Sequence, residues 1–112
     1  MKIAIPLVNG LLSLHFGHCQ SFKIINIDTE QKTILSSEEL EAPAHEPGVL
    51  PRWLGEHNVE LIITGGMGEQ AKTLFTQQNI DVIVGAPVAS PEDIVGDYMK
   101  GSLAVADNTC SH

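Results

Sequence analysis

The stretch VELIITGGMGEQAKTLF, residues 59–75, decides the fold. Its first six residues are almost continuously apolar and rich in Val and Ile, the pattern of a strand buried on both faces. Gly65-Gly66 ends that strand. From Gly68 to Gln78 the pattern changes to helical spacing, with Met67, Ala71, Leu74 and Phe75 on one side. A buried strand that turns directly into an amphipathic helix is half of a parallel crossover, so the chain is read as an α/β protein.

Working outward, residues 81–84 (DVIV) form a short strand closed by Gly85. Ser90-Pro91-Glu92-Asp93 then starts a helix, with Ser as cap, Pro in the first position and carboxylates in the first turn. It runs to Lys100 and is stopped by Gly101. Toward the N-terminus, Leu50, Trp53, Leu54 and His57 fall at helical spacing, and Pro51 fits only in a first turn. Residues 2–8, 22–28 and 33–37 read as strands, the last two joined as a hairpin. Residues 9–21 and the acidic, proline-bearing residues 38–48 read as loops. The order is β-β-β-α-β-α-β-α, which predicts a three-layer α/β/α sandwich around a mixed five-stranded sheet. Residues 1–101 make a single domain, and residues 102–112 a C-terminal tail.

This topology brings four loops to one sheet edge: residues 9–21, 38–48, 65–68 and 85–90. Open α/β sheets bind ligands at the carboxyl edge of their strands.

Composition narrows the choice of ligand. Of 112 residues, 43% are hydrophobic and 18% charged, as expected of a soluble globular domain. Six basic against fourteen acidic residues give a net charge of −8. The basic residues are scattered, which disfavours nucleic acid as a partner, and none is expected. No apolar run approaches the ~20 residues of a membrane helix. The opening MKIAIPLV reads as a strand and not a signal peptide, which makes the cytoplasm the default location. Two cysteines, Cys19 and Cys110, cannot build a disulfide framework.

The chemistry-bearing residues crowd into LHFGHC, residues 14–19. Imidazole and thiolate suit zinc, copper and iron–sulfur species, so His15, His18 and Cys19 are candidate metal ligands. Gly17 between them lets the backbone approach something bulky. The alternative is two solvent-facing histidines above a small buried thiol. The turn Gly65-Gly66-Met67-Gly68 offers backbone N–H groups and a positive helix end to an anion. It equally suits a tight strand-to-helix turn with close packing. His45 lies in the loop expected at the same edge. Cys110 and His112 would complete a Cys₂His₂ zinc set with Cys19 and one of the first two histidines, unless the terminus is simply frayed.

Enzymatic readings lack their residues. A two-metal nuclease needs an acid on the first strand, and KIAIPLV has none. No nucleophile elbow of the GxSxG type occurs, and no paired-carboxylate site stands out.

The segments SLHFGHCQSF (13–22), PGVLPRWL (47–54), ELIITGGMGEQAKTLF (60–75) and IDVIVG (80–85) together resemble the dinitrogenase iron–molybdenum cofactor biosynthesis family. The resemblance spans roughly residues 1–101. It implies a ribonuclease H-like fold without nuclease chemistry. It also implies a non-enzymatic carrier of an iron–sulfur or molybdenum–iron–sulfur cluster that exchanges its cargo with donor and acceptor proteins. The His of the HFG element, His15 here, is the ligand the resemblance implies. His18-Cys19 directly after HFG departs from the family pattern. The expectation is therefore a cluster site at the loop edge built on His15, His18, Cys19, Gly17, Gly65, Gly66 and Met67. The alternatives are a zinc or other divalent-metal site and a metal-free regulatory module, either of which a homodimer would suit.

Overall fold

A computed structural model describes residues 1–14, 16, 19–43 and 48–103. Nine elements follow in order: β1 (Lys2–Val8), β2 (Leu11–Leu12), β3 (Ser21–Asp28), β4 (Thr33–Glu41), α1 (Val49–Glu56), β5 (Leu61–Ile63), α2 (Glu69–Gln77), β6 (Asp81–Ile83) and α3 (Pro91–Lys100). The sheet order is β4-β3-β1-β5-β6, with β2 attached to the end of β1. Pairs β1·β3 and β3·β4 are antiparallel, whereas β1·β5 and β5·β6 are parallel. The sheet is mixed, as expected, with a sixth short strand that the sequence reading placed in a loop.

Strand β1 is central, and its interior is buried on both sides. Side-chain alternation then sorts the core into two layers. Ile3, Ile5 and Leu7 join Ile25, Ile27, Leu61 and Ile63 on one face, where Ile94 and Val95 of α3 cover them. Ala4, Phe22, Ile24 and Ile62 point to the other face, where Leu50 and Leu54 of α1 and Phe75 of α2 cover them. This is a three-layer α/β/α arrangement.

The helix ends follow their local chemistry. The Ser90 side chain accepts a hydrogen bond from the Asp93 N–H at 3.2 Å, and Pro91 occupies the first turn of α3. Gly101 closes α3 with φ 74°, the left-handed geometry that glycine adopts freely. Pro51 sits in the first turn of α1, as its missing N–H requires. His57 is the cap residue after α1 and not a member of it.

Two segments expected to be loops are paired. Strand β4 continues through Glu41, because Glu38, Glu39 and Leu40 keep register with Ile24, Lys23 and Phe22 of β3. Residues 11–12 fold back on β1, with Leu7 opposite Leu12 and Val8 opposite Leu11. The connecting Asn9-Gly10 has φ 54° and 81°. Positive φ at both turn positions is the geometry of a two-residue hairpin turn that Asn-Gly favours. Smaller differences are boundary shifts: β3 begins at Ser21, β5 covers only 61–63 and β6 only 81–83.

Candidate functional site

The carboxyl ends of β1, β5 and β6 gather the loops as the topology requires. The hairpin β1–β2 first turns the chain back, and the Ser13 N–H donates to the Pro6 carbonyl at 2.8 Å. The Leu12 N–H donates to the Ala89 carbonyl at 3.0 Å, which stitches this segment to the loop before α3. At the far end the Gln20 N–H returns to the Leu7 carbonyl at 2.8 Å, and the Ala42 N–H meets the Gln20 carbonyl at 3.2 Å. Leu12 and Gln20 therefore tie the two ends of this segment to the chain before α3 and the chain after β4.

Aromatic packing anchors the middle of this segment. Phe16 is 8% exposed, and its ring stands edge-on to Phe75 with centroids 5.3 Å apart. The Phe22 ring, tilted, has its centroid 6.0 Å from that of Phe16. Cys19 is a free thiol, 6% exposed, in the same cluster. Burial pushes this thiol up to about 11, so it is a protonated apolar side chain at neutral pH. That environment is the buried thiol anticipated beside the ligand reading.

The Gly65-Gly66 turn lies directly beneath. Thr64 and Ser13 are buried polar residues, and the Thr64 hydroxyl lies 3.4 Å from both the Ser13 and the Gly66 carbonyl oxygens. The Gly65 N–H donates to the Ser13 carbonyl at 3.1 Å, and the Gly66 carbonyl accepts from the Phe16 N–H at 3.0 Å. On its other side the turn meets the Gly85 N–H at the Gly65 carbonyl (3.0 Å) and the Ala86 N–H at the Thr64 carbonyl (3.2 Å). Met67 is half-buried against the aromatic cluster. Leu11, Leu14 and Val88 are exposed apolar residues of the same loops.

Of the residues expected at the site, Cys19 and Met67 share the aromatic cluster, and Gly65 and Gly66 are bonded to Ser13 and Phe16. His15, Gly17, His18, His45, Cys110 and His112 lie outside the described residues. Among the described residues no three His, Cys, Asp or Glu side chains are grouped to hold a metal ion. No helix among them is long and apolar enough to cross a membrane. Three contributors escaped the sequence reading: Phe16 as anchor, and Thr64 and Ser13 as buried polar partners. Asn9-Gly10 between apolar neighbours was the signal for the hairpin that sets them in place.

The chain is similar to known proteins in sequence and in fold. Residues 1–101 match the family model described as "Dinitrogenase iron-molybdenum cofactor". An uncharacterized protein of Methanocaldococcus jannaschii, MJ0580, is 33% identical over 108 residues, covering 92% of this chain and 89% of its own. The crystal structure of PH0822 superposes with a TM-score of 0.89 at 25% identity, covering all of both chains. That of MJ0327 from Methanocaldococcus jannaschii gives a TM-score of 0.75 at 20% identity, covering 96% of each, a likeness of fold alone.

Proposed function

The chain belongs to the dinitrogenase iron–molybdenum cofactor family, and from that premise we propose that it binds and carries a metal–sulfur cluster. The cargo is of the iron–sulfur or molybdenum–iron–sulfur type, taken from donor proteins and passed to acceptors. Family membership agrees with the non-enzymatic reading of the sequence. A ribonuclease H-like fold suits the three-layer mixed sheet.

The observation that carries this reading is the anchoring of the HFG segment. Ser13, Leu14 and Phe16 flank position 15, and backbone hydrogen bonds tie Ser13 and Phe16 to the glycine turn at the ligand-binding edge. His15 is the principal ligand in this reading, with His18 and Cys19 secondary. Burial raises the Cys19 thiol to about 11, so it is protonated at neutral pH and would have to release its proton to ligate a metal, in keeping with its secondary place. The Gly65 N–H is already bonded to Ser13. In this reading other backbone N–H groups of the 65–68 turn, next to the start of α2, face the anionic sulfides.

The test is an anaerobic titration with tetrathiomolybdate, a metal sulfide dianion, followed by its absorption. His15→Ala is expected to weaken binding at least ~10-fold, the scale of one lost charge-assisted contact. Unchanged affinity removes His15 from the site. Binding is also expected to fall below about pH 6.5, where an ordinary imidazole protonates; a flat profile contradicts imidazole ligation.

A further inference from the structure

Gly65 and Gly66 are glycine for want of space. Neither has the left-handed φ that would demand glycine on conformational grounds. A Cβ placed on Gly65 falls 2.7 Å from the Leu14 Cα, and 3.1 Å from both the Leu14 Cδ2 and the Ser13 carbonyl oxygen. A Cβ on Gly66 falls 2.8 Å from the Leu14 carbonyl oxygen. The nearest atom in each case is backbone, so no rotamer change relieves the clash and the main chain of residue 14 must move. Gly68, two residues on in the same turn, differs. Its Cβ would meet nothing within 4 Å, and its φ of −70° suits any L residue.

We propose that Thr64, Gly65 and Gly66 are positioning residues, a mould that seats the backbone of residues 13, 14 and 16 and thereby sets the affinity for the cargo. This rests on the reading of the HFG segment as the binding element. The glycines remove every side chain between the turn and Leu14, so the two backbones meet directly. The pair Gly65 N–H to Ser13 carbonyl and Phe16 N–H to Gly66 carbonyl then fixes the segment on both sides of position 15. Thr64, fully buried, directs its hydroxyl to the Ser13 or the Gly66 carbonyl and ties the same two strands of chain from below. On its far side the turn is held by Gly85 and Ala86, so it has a rigid back against which the segment is pressed. Misplacing a binding group by an ångström costs far more than its own contact energy, because every partner loses alignment together.

The test uses the full chain. Gly65→Ala, Gly66→Ala and Gly68→Ala, with Thr64→Val and Thr64→Ser, are titrated with tetrathiomolybdate and compared by amide nuclear magnetic resonance spectra. Gly65→Ala and Gly66→Ala are expected to weaken binding ~10-fold or more, with amide shifts concentrated at residues 13–16. Gly68→Ala stays within about twofold of the wild type. Thr64→Val weakens binding roughly threefold, and Thr64→Ser, which keeps the hydroxyl, restores it. Wild-type affinity in a Gly65→Ala protein whose residues 13–16 have moved overturns the proposal, as does an equal loss in Gly68→Ala. If Gly65→Ala does not fold, the Thr64 pair decides: loss in Val without rescue in Ser contradicts positioning. If His15→Ala binds normally the ligand assignment fails by itself, while the contrast between Gly65→Ala and Gly68→Ala still reports whether the seating of residues 13–16 matters. A wild-type chain that does not bind the probe contradicts both.

Discussion

The two faces of the sheet are built from different stock. Beneath α3 the core is aliphatic: Ile3, Ile5, Leu7, Ile25, Ile27, Leu61 and Ile63 meet Ile94 and Val95. Beneath α1 and α2 it holds Phe16, Phe22, Phe75 and Cys19, with Trp53 and Met67 at its margin. The candidate loop is rooted in both. Leu12 plugs the aliphatic face, whereas Phe16 and Cys19 plug the aromatic one. Residues 13 and 14 therefore cross the sheet edge between two anchors, over the glycine turn. Leu12 on one side and Phe16 on the other thus seat residues 13 and 14 from both cores.

The centre of the aromatic face carries the largest expected effect. Phe75 is fully buried, so Phe75→Ala is expected to lose about 3–5 kcal/mol in urea unfolding. A loss below ~1 kcal/mol would show that this layer is not packed as described. Phe16→Ala, at the rim, is expected to lose about 3 kcal/mol and also to weaken tetrathiomolybdate binding by ~10-fold, because the anchor of the loop goes with the ring. Unaltered binding in a folded Phe16→Ala protein would uncouple the loop from that core.

Cys19 offers a smaller effect with a definite sign. Its folded-state thiol is raised from an ordinary 9.0 to about 11. Between those values the unfolded chain releases this proton and the folded chain keeps it, so stability falls as pH rises through the window. The expected loss is about 1–3 kcal/mol from pH 9 to 11, measured as the difference between wild type and Cys19→Ala. Parallel stability profiles in the two proteins would mean that the thiol is exposed. The smallest effect belongs to the opposite face. Ser90→Ala removes the cap of α3 and is expected to lose about 1 kcal/mol while leaving binding of the probe unchanged. A change in affinity there would break the separation of the two faces.

Residue pattern shows why part of this was readable in advance. Residues 59–75 announce strand, turn and helix because both faces of β5 are buried and the periodicity changes at the glycines. Ser90-Pro91 announces α3 by chemistry alone. The distal half of β4 was missed because its side chains are largely exposed on both faces, so Ser37-Glu38-Glu39 shows no alternation and has little β preference; pairing with β3 imposes the strand. β2 was missed although Asn9-Gly10 stood between apolar neighbours, because a two-residue strand leaves no periodicity to read. At the candidate site, residue types single out the loop, but Phe16 and Thr64 look ordinary in sequence. Their roles arise from contacts with Phe75 and Ser13, distant in the chain. The closeness of Gly65 to Leu14 is likewise a property of the folded edge.

The most direct test of the carrier reading is the iron, molybdenum and acid-labile sulfide content of the protein, purified anaerobically from cells supplied with iron and molybdate, beside the same preparation of His15→Ala. The account predicts iron or molybdenum together with sulfide in the wild type, with a visible absorption band, and its loss in His15→Ala. Zinc without sulfide, or metal and sulfide retained in His15→Ala, would contradict it.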